Sequence, residues 1–566
     1  MTSTPTGPRR PPSPLRRYAP FLVVLFVAGV VVVAVALAGG GGDGGDGRDR
    51  GPSGATAGAG PVIFSEENKD RIDWGPRCDT QRGRVALPLV TALPCVKPHT
   101  GDNGGATAPG VTADAIKVVV YQGDPSKNPL QSALVRSAGA DVDLATGKET
   151  ALNYIRLLER YHETYGRRID VEFFTGTGAP NDEVTARADA RAIADKRPFA
   201  VLGGPGQTPV FAEELAANKI LCLGGCALAT PEKTLRRYAP YLWGNGPTPE
   251  QASTLTTEMI ANLLAGKKAR WAGSEAFRNR TRVFGAVHYD TPDGQQTEAF
   301  AFFRRSLERK GVKLAADIPF FLDIARGQEN ARTMIAKLKS AGVTSVIYYG
   351  DPLTPSFLTQ EATAQDYFPE WIIGPNVFAD TAVFGRTYDQ RQWRHAFGVS
   401  LIAARGTQDT SSSRNLYIWG YGEPPPNNTY AVILGDIAPL FTGVHLAGPT
   451  LTPQTFRDGL FRAPPRRGTP LIPSTSRGRH GIWPGVDLGG SDDATLIWWD
   501  PEAQGEDEIG NTGKGLYVFV DGGKRYRPGE WPKTDPGLFD RSKGITIYEE
   551  IPAEDRPPRY PSPAQR

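Results

Sequence analysis

Two small-residue loops, close together in the chain, carry the residues best suited to hold a ligand. In 199–230, FAVLGGPGQTPVFAEELAANKILCLGGCALAT, two apolar runs at 199–202 and 220–223 each end in glycines, and 209–218 between them has helical spacing. The unit reads as strand, loop, helix, strand. Ligands of parallel sheets sit beyond the carboxyl ends of the strands, where Gly203, Gly204, Gly206, Gly224 and Gly225 let backbone N–H groups approach closely. Gly206, Gln207 and Thr208 open the helix and offer its first N–H groups to an anion such as a carboxylate. No Lys-Ser or Lys-Thr pair follows, which excludes a P-loop, and the glycine spacing departs from the dinucleotide fingerprint. A tight turn and a helix cap is the plain alternative for either loop taken alone.

Other chemistry is poorly served. Acyl transfer needs a nucleophile oriented by a base, but no GxSxG elbow is present and the six histidines are scattered. His288 lies beside a rim candidate and reads as a strand residue facing the core. Asp290 with Asp351 could be imagined as the two carboxylates of a glycoside hydrolase, yet nothing in their spacing demands it. HExxH and related metal signatures are absent, so no catalytic residue, metal or cofactor is expected. The four cysteines are expected to form disulfides in an exported protein. Cys78 and Cys95 bracket a proline-containing segment, and Cys222 and Cys226 sit within the second rim loop; zinc is the rival reading, with spacings that do not suit it.

The elements that position these loops alternate. Residues 116–121 (IKVVVY) read as a strand, 150–165 as an amphipathic helix, 169–174 as a strand, and 181–194 as a helix capped by Asn181. A second run of the same alternation follows a helix at 250–264: strand 282–289, helix 296–310, strand 318–322, helix 330–341, strand 343–349. Residues 371–374 and 398–403 read as further strands, 429–446 as an apolar packing helix and 454–461 as a short one. Strands alternating with helices predict an α/β fold with doubly wound, mostly parallel sheets.

In their order and spacing, several stretches resemble type I periplasmic binding proteins, the branched-chain amino acid receptor group that serves ABC importers. ALNYIRLLERYHETYGRRIDVEFF looks like the family's first helix and second strand, and FAVLGGPGQTPVFAEELAANKI resembles its strand and carboxylate loop. RVFGAVHYDTPDGQQTEAFAFFRRSLERKGVKL and IAKLKSAGVTSVIYYGDPLTPSFLTQEA resemble the second lobe, and NNTYAVILGDIAPLF the late helix that returns to the first. The resemblance spans 116–520 and implies two lobes closing on a small polar solute (an amino acid, amide or related compound) delivered to permease subunits, with no enzymatic activity. It also implies the contacts: Tyr121 and Gln122 ending the first strand, Gly206, Gln207 and Thr208, Ala229 and Thr230 in the next loop, Tyr289 and Asp290 on the second lobe, and Asp351 opposite a ligand amino group. The chain departs from the family pattern at Ala229, where a hydroxyl is usual, and near Asp351, where the family's glutamate has no match. Thr230 also reads as a cap for the helix beginning at Pro231, and Tyr289 and Asp290 as part of a solvated acidic turn. The long stretch 124–148 replaces a short loop and could form part of the cleft or a lid.

The ends of the chain speak to location. Arg9, Arg10, Arg16 and Arg17 precede an apolar run at 21–38, followed by a glycine-rich stretch at 39–60. This predicts one N-terminal transmembrane helix, with the folded part extracytoplasmic, or secreted if the chain is cleaved after Ala38. The expected divisions are a basic segment 1–20, the anchor 21–38, a linker 39–60, a disulfide-bearing extension 61–110, a first lobe 111–249, a second lobe 250–397, a return to the first lobe with C-terminal strands 398–524, and a Pro-rich tail 525–566. With 39% hydrophobic residues and a net charge of +3, neither nucleic-acid binding nor wholesale disorder is favoured. A membrane-tethered sensor or envelope-assembly protein on the same fold, and an extracytoplasmic hydrolase, are the alternative functions.

Overall fold

The computed structural model describes residues 60–128, 132, 141–206, 208–227, 230–244, 246–290, 294–321, 323, 326–376, 378–508 and 510–565. The expected anchor at 21–38 and its linker up to 59 lie outside them. The sequence AIKVVVYQ forms the strand Ala115–Gln122, inside a sheet of four. It pairs in parallel with Arg168–Thr175 on one side and Ala200–Leu202 on the other, and Leu221–Leu223 completes the order. Parallel neighbours need long crossovers, supplied here by the helices Leu144–Tyr161, Glu183–Asp195 and Val210–Ala217. The first of these begins six residues before the expected 150, because the Asp143 carboxylate accepts from the N–H groups of Ala145 and Thr146 at 2.8 and 2.9 Å. Asp182, not Asn181, caps the second, accepting from Val184 and Thr185.

The second sheet repeats the winding. Leu314–Phe320, Phe284–Tyr289, Ser345–Gly350, Glu370–Asn376 and Ala396–Ser400 lie side by side in parallel. A buried ion pair clamps its base: Arg282 Nε lies 2.7 Å from Glu370 Oε2, and Ser345 Oγ donates to the same oxygen at 2.6 Å. The sheet then continues antiparallel through Ala494–Glu506, Thr512–Val520 and Gly544–Ile545, with Arg525–Tyr526 beside the start of Ala494–Glu506.

The stretch 398–524, expected as a return to the first lobe with C-terminal strands, divides between the two sheets. Ser412–Tyr421, Tyr430–Ala447 and Pro453–Arg462 pack on the first sheet, where Leu416, Leu434 and Phe456 join its core. The later strands extend the second sheet, with Phe397 opposite Trp498. The chain thus passes between the two cores near 244–249, 400–412 and 462–494. Among the described residues, Tyr430–Ala447 is the one helix long and apolar enough to cross a membrane, and 78% of it is buried inside the protein.

The four cysteines form disulfides as expected, and the pairing is Cys78 with Cys95 and Cys222 with Cys226. The stretch after 525 is extended, as composition suggests, but it is bound along its length. Trp531 is buried, Phe539 packs on Trp271 and Trp498, the Tyr548 N–H donates to the Arg405 carbonyl, and Asp555 accepts from the Leu471 N–H. The Tyr560 hydroxyl then donates to Asp79 at 2.7 Å and Ser562 to the Trp419 carbonyl at 2.6 Å. The tail begins on the second lobe and ends on the first.

Candidate functional site

The parallel strands of each sheet end in glycine-bearing loops at their carboxyl edge, and the helices that follow the two edges touch each other. The helix Glu232–Tyr238 follows the second rim loop of the first sheet, and its Lys233 Nζ lies 3.4 Å from Glu298 in the helix Gln295–Arg309, which follows the edge of the second. The Glu232 N–H also donates to Glu250 at 3.2 Å, on the helix Pro249–Met259 whose Leu255 and Met259 pack in the second core. The glycines do what the sequence asks of them: Gly203 and Gly224 hold φ of +74° and +68°, a region where a side chain would be strained.

The candidate contacts separate into those at the rim and those turned away. Tyr121 is turned away. Its ring lies between Phe174 and Phe211, and its hydroxyl faces Asp189 Oδ2 at 3.3 Å, so burial raises its pKa. Gln122 ties the strand end to the Leu144 carbonyl at 3.2 Å. Gly206 has φ +76°, and Thr208 Oγ1 accepts from the Val210 N–H at 3.3 Å, so this hydroxyl oxygen serves the helix start while its own O–H can still donate. Thr230 does not cap its helix, which starts at Glu232 after Pro231 with no side-chain cap. Gln207 and Ala229 lie outside the described residues.

On the second rim both acids serve their own loops. Asp290 accepts from the Thr297 hydroxyl, and its N–H donates to the Phe320 carbonyl at 2.8 Å. Tyr289 packs at a tilt on Phe320. Asp351 accepts from the Leu353 and Thr354 N–H groups at 2.7 and 2.9 Å and from the Thr354 hydroxyl at 2.8 Å, closing the start of the helix Thr354–Ala364. Burial still pushes its carboxyl above the usual range. With the Tyr348 hydroxyl also donating to Oδ2 at 3.3 Å, the expected partner for a ligand amino group has four donors of its own. His288 stacks on Phe300 with centroids 3.6 Å apart and has Nε2 on Asp317 at 2.9 Å.

The residue that sequence reasoning missed is Asp436. It sits in the helix Tyr430–Ala447, whose apolar character led to its reading as packing alone. Its carboxylate lies between the two glycine loops of the first rim: Oδ1 accepts from the Gly225 N–H at 2.7 Å, and a Cβ added at Gly203 would come within 3.4 Å of Oδ2. At Gly224 the approach is closer, since a Cβ there would lie 2.2 Å from Oδ1 and 2.7 Å from the Asp436 Cα. Gly224 is therefore required by this carboxylate. Burial pushes its pKa up to about 7, opposed only by the Gly225 hydrogen bond. The Cys222–Cys226 bridge closes the loop that carries Gly225. The available signal was a single acid in an otherwise apolar run, TYAVILGDIAPLF.

Solved structures of ABC transporter solute-binding proteins are similar to this chain. A fatty acid ABC transporter substrate-binding protein from Thermomonospora curvata is 12% identical, with 76% of this chain and 97% of that one covered at a TM-score of 0.48. A leucine-, isoleucine-, valine-, threonine- and alanine-binding protein from Brucella ovis, in a closed conformation, is 10% identical, with 77% and 100% covered at 0.48. A solute binding protein of an ABC transporter from Rhodopseudomonas palustris BisB5, in complex with 3,4-dihydroxybenzoic acid, is 11% identical, with 73% and 98% covered at 0.45. No family model matches the chain, and no curated protein matches it.

Proposed function

We propose that the protein is an extracytoplasmic receptor of the type I periplasmic binding kind, capturing a small polar solute between its lobes for an ABC-type importer. The observation that carries this is the pair of like-wound sheets whose parallel strands end in glycine-bearing loops and whose following helices touch through Lys233 and Glu298. Three chain crossings between the cores supply the hinge, and a solute that touches both rims favours the closed form by its differential affinity. Gly206, Thr208, Thr230, Tyr289 and Asp290 are the contacts we propose, with Gln207 and Ala229 in the same loops. The reading is of a binder and not an enzyme: His288 and Asp351 are engaged by their own surroundings, which leaves them badly placed as a base or acid pair. The basic flank and apolar run at 21–38 support an exported, membrane-tethered chain.

A thermal-shift screen of the purified protein against amino acids, amides, amines and aromatic acids tests this. A ligand at 100 times its dissociation constant stabilises by about 2.7 kcal/mol, enough to read as a melting shift. No shift with any solute, together with capture of an envelope protein, would replace transport by the second reading, a tethered sensor or assembly protein. One observation favours that alternative: the C-terminal tail bonds to both lobes and would resist their rotation.

A further inference from the structure

The rim of the first lobe is built to hold an anion, and it already holds one. Gly203, Gly224 and Gly225 follow the strands Ala200–Leu202 and Leu221–Leu223 with their backbones close around the Asp436 carboxylate, and the Gly225 N–H is given to Oδ1 at 2.7 Å. A solute carboxylate entering the same loops would meet a spent donor and a like charge. Oδ2 has no hydrogen-bond partner among the described residues, and the side chain is only half-buried, which leaves that oxygen to a ligand. The facing rim adds Asp290 and Asp351, and the described base at the mouth, Lys233, is paired with Glu298. Each of these groups selects against an anionic solute and for a positively charged donor.

We infer that the first-lobe half of the cleft takes an organic cation, an amine or guanidinium group bound to Asp436 Oδ2, and does not take a solute's carboxylate. This rests on the solute-receptor reading above and narrows it. The helix that carries Asp436 packs against the strands Ala200–Leu202 and Leu221–Leu223, the turn Gly224–Ala227 and the helices Leu144–Tyr161, Ser412–Tyr421 and Pro453–Arg462, and among the described residues burial and the Gly225 hydrogen bond alone move its carboxyl. Its own ionisation, centred near pH 7, therefore sets the pH dependence. A cation binds best above that pH, while its own amine remains protonated.

The experiment is calorimetric titration of the full-length protein with putrescine and agmatine, and with acetate, L-leucine and 4-hydroxybenzoate, at pH 8.5 and pH 6. The expected result is saturable binding of a cation at pH 8.5, weakened about tenfold at pH 6, where about nine-tenths of a carboxyl with this pKa is protonated. Asp436→Asn should lose the cation by about tenfold or more at pH 8.5 and erase the pH dependence, since one charged partner is gone. Asp436→Gly vacates the loops, and acetate should then raise the melting temperature of the variant but not of the wild type. If leucine or 4-hydroxybenzoate binds the wild type while the cations do not, the inference is overturned and the receptor reading stands. If no solute of either charge binds, both fall.

Discussion

Replacing Asp436 by Asn should stabilise the folded protein at alkaline pH and leave it nearly unchanged in acid. Burial pushes the carboxyl up to about 7, well above the ordinary aspartate range. A folded pKa above the unfolded one means that the folded state binds the proton more tightly, so folding gains stability as pH falls through the folded value towards the unfolded one. Above pH 7 the wild type therefore carries the whole cost of burying the charge. Ionising a carboxyl so raised costs about 4 kcal/mol without screening, and water around a half-buried side chain reduces this to about 2 kcal/mol. Asn keeps the amide oxygen that accepts from Gly225 and carries no charge, so the variant should be about 2 kcal/mol more stable than wild type at pH 8. The gap should shrink steadily from pH 7 and nearly vanish by pH 4. Asp487, pushed up to about 7, and Asp380, pushed up to about 6, titrate in the same window but are present in both proteins and cancel in the difference. Urea unfolding of the two proteins at several pH values measures it. An equal gap at pH 8 and pH 4, or a wild type more stable than the variant at pH 8, would refute the burial argument.

Arg282→Met should cost about 3–5 kcal/mol by leaving Glu370 buried with only its Ser345 and Trp271 donors, read as a lower urea midpoint. Replacing Cys222 and Cys226 by Ser should lower stability by about 2 kcal/mol on chain entropy and, more tellingly, speed hydrogen exchange at the Gly225 N–H, since the bridge closes the loop that presents it. Removing the bridge between Cys78 and Cys95 opens a larger loop and should cost about 3 kcal/mol, with protease cutting first in the N-terminal extension. Truncation after 555 removes the bonds of Tyr560 and Ser562 to the first lobe while leaving the buried Trp531 and Leu538 in place. The scattering radius of the truncated protein should then respond more strongly to a bound solute than that of the full chain.

The alternation of the chain was legible because each strand of a parallel sheet announces itself as a short apolar run with a crossover helix after it. Helix starts were less so: Asn181 and Asp182 both suit a cap, and only the backbone path decides that Asp182 accepts from Val184 and Thr185. Phe284–Tyr289 and Ser345–Gly350 could be placed locally, since Val287 and Val346 follow their own helices into the core. The strand Ala494–Glu506 could not. Its ATLIWWD start is buried on both faces, so no alternation marks it, and its partner Ala396–Ser400 lies about a hundred residues away. The site suffers from the same non-locality. Gly203, Gly224 and Gly225 could be read as a cradle for an anion, but the carboxylate that fills it comes from a helix more than two hundred residues later.

That separation has a mechanical consequence. Asp436 belongs to a helix that the chain reaches only after building the second lobe, so the rim of the first lobe is complete only when Tyr430–Ala447 has docked on its sheet. The same helix begins beside the crossing stretch, where the Tyr430 hydroxyl donates to Gln408. A rotation at the 400–412 crossing therefore acts on the end of the element that carries the rim carboxylate. If a cation drew Asp436 Oδ2 and the facing Asp290 together, the attraction would act along that same helix towards closure, while the C-terminal tail held the far side. On the receptor reading proposed above, the balance of these two would set how far the lobes move, with control of closure in segments that touch no solute.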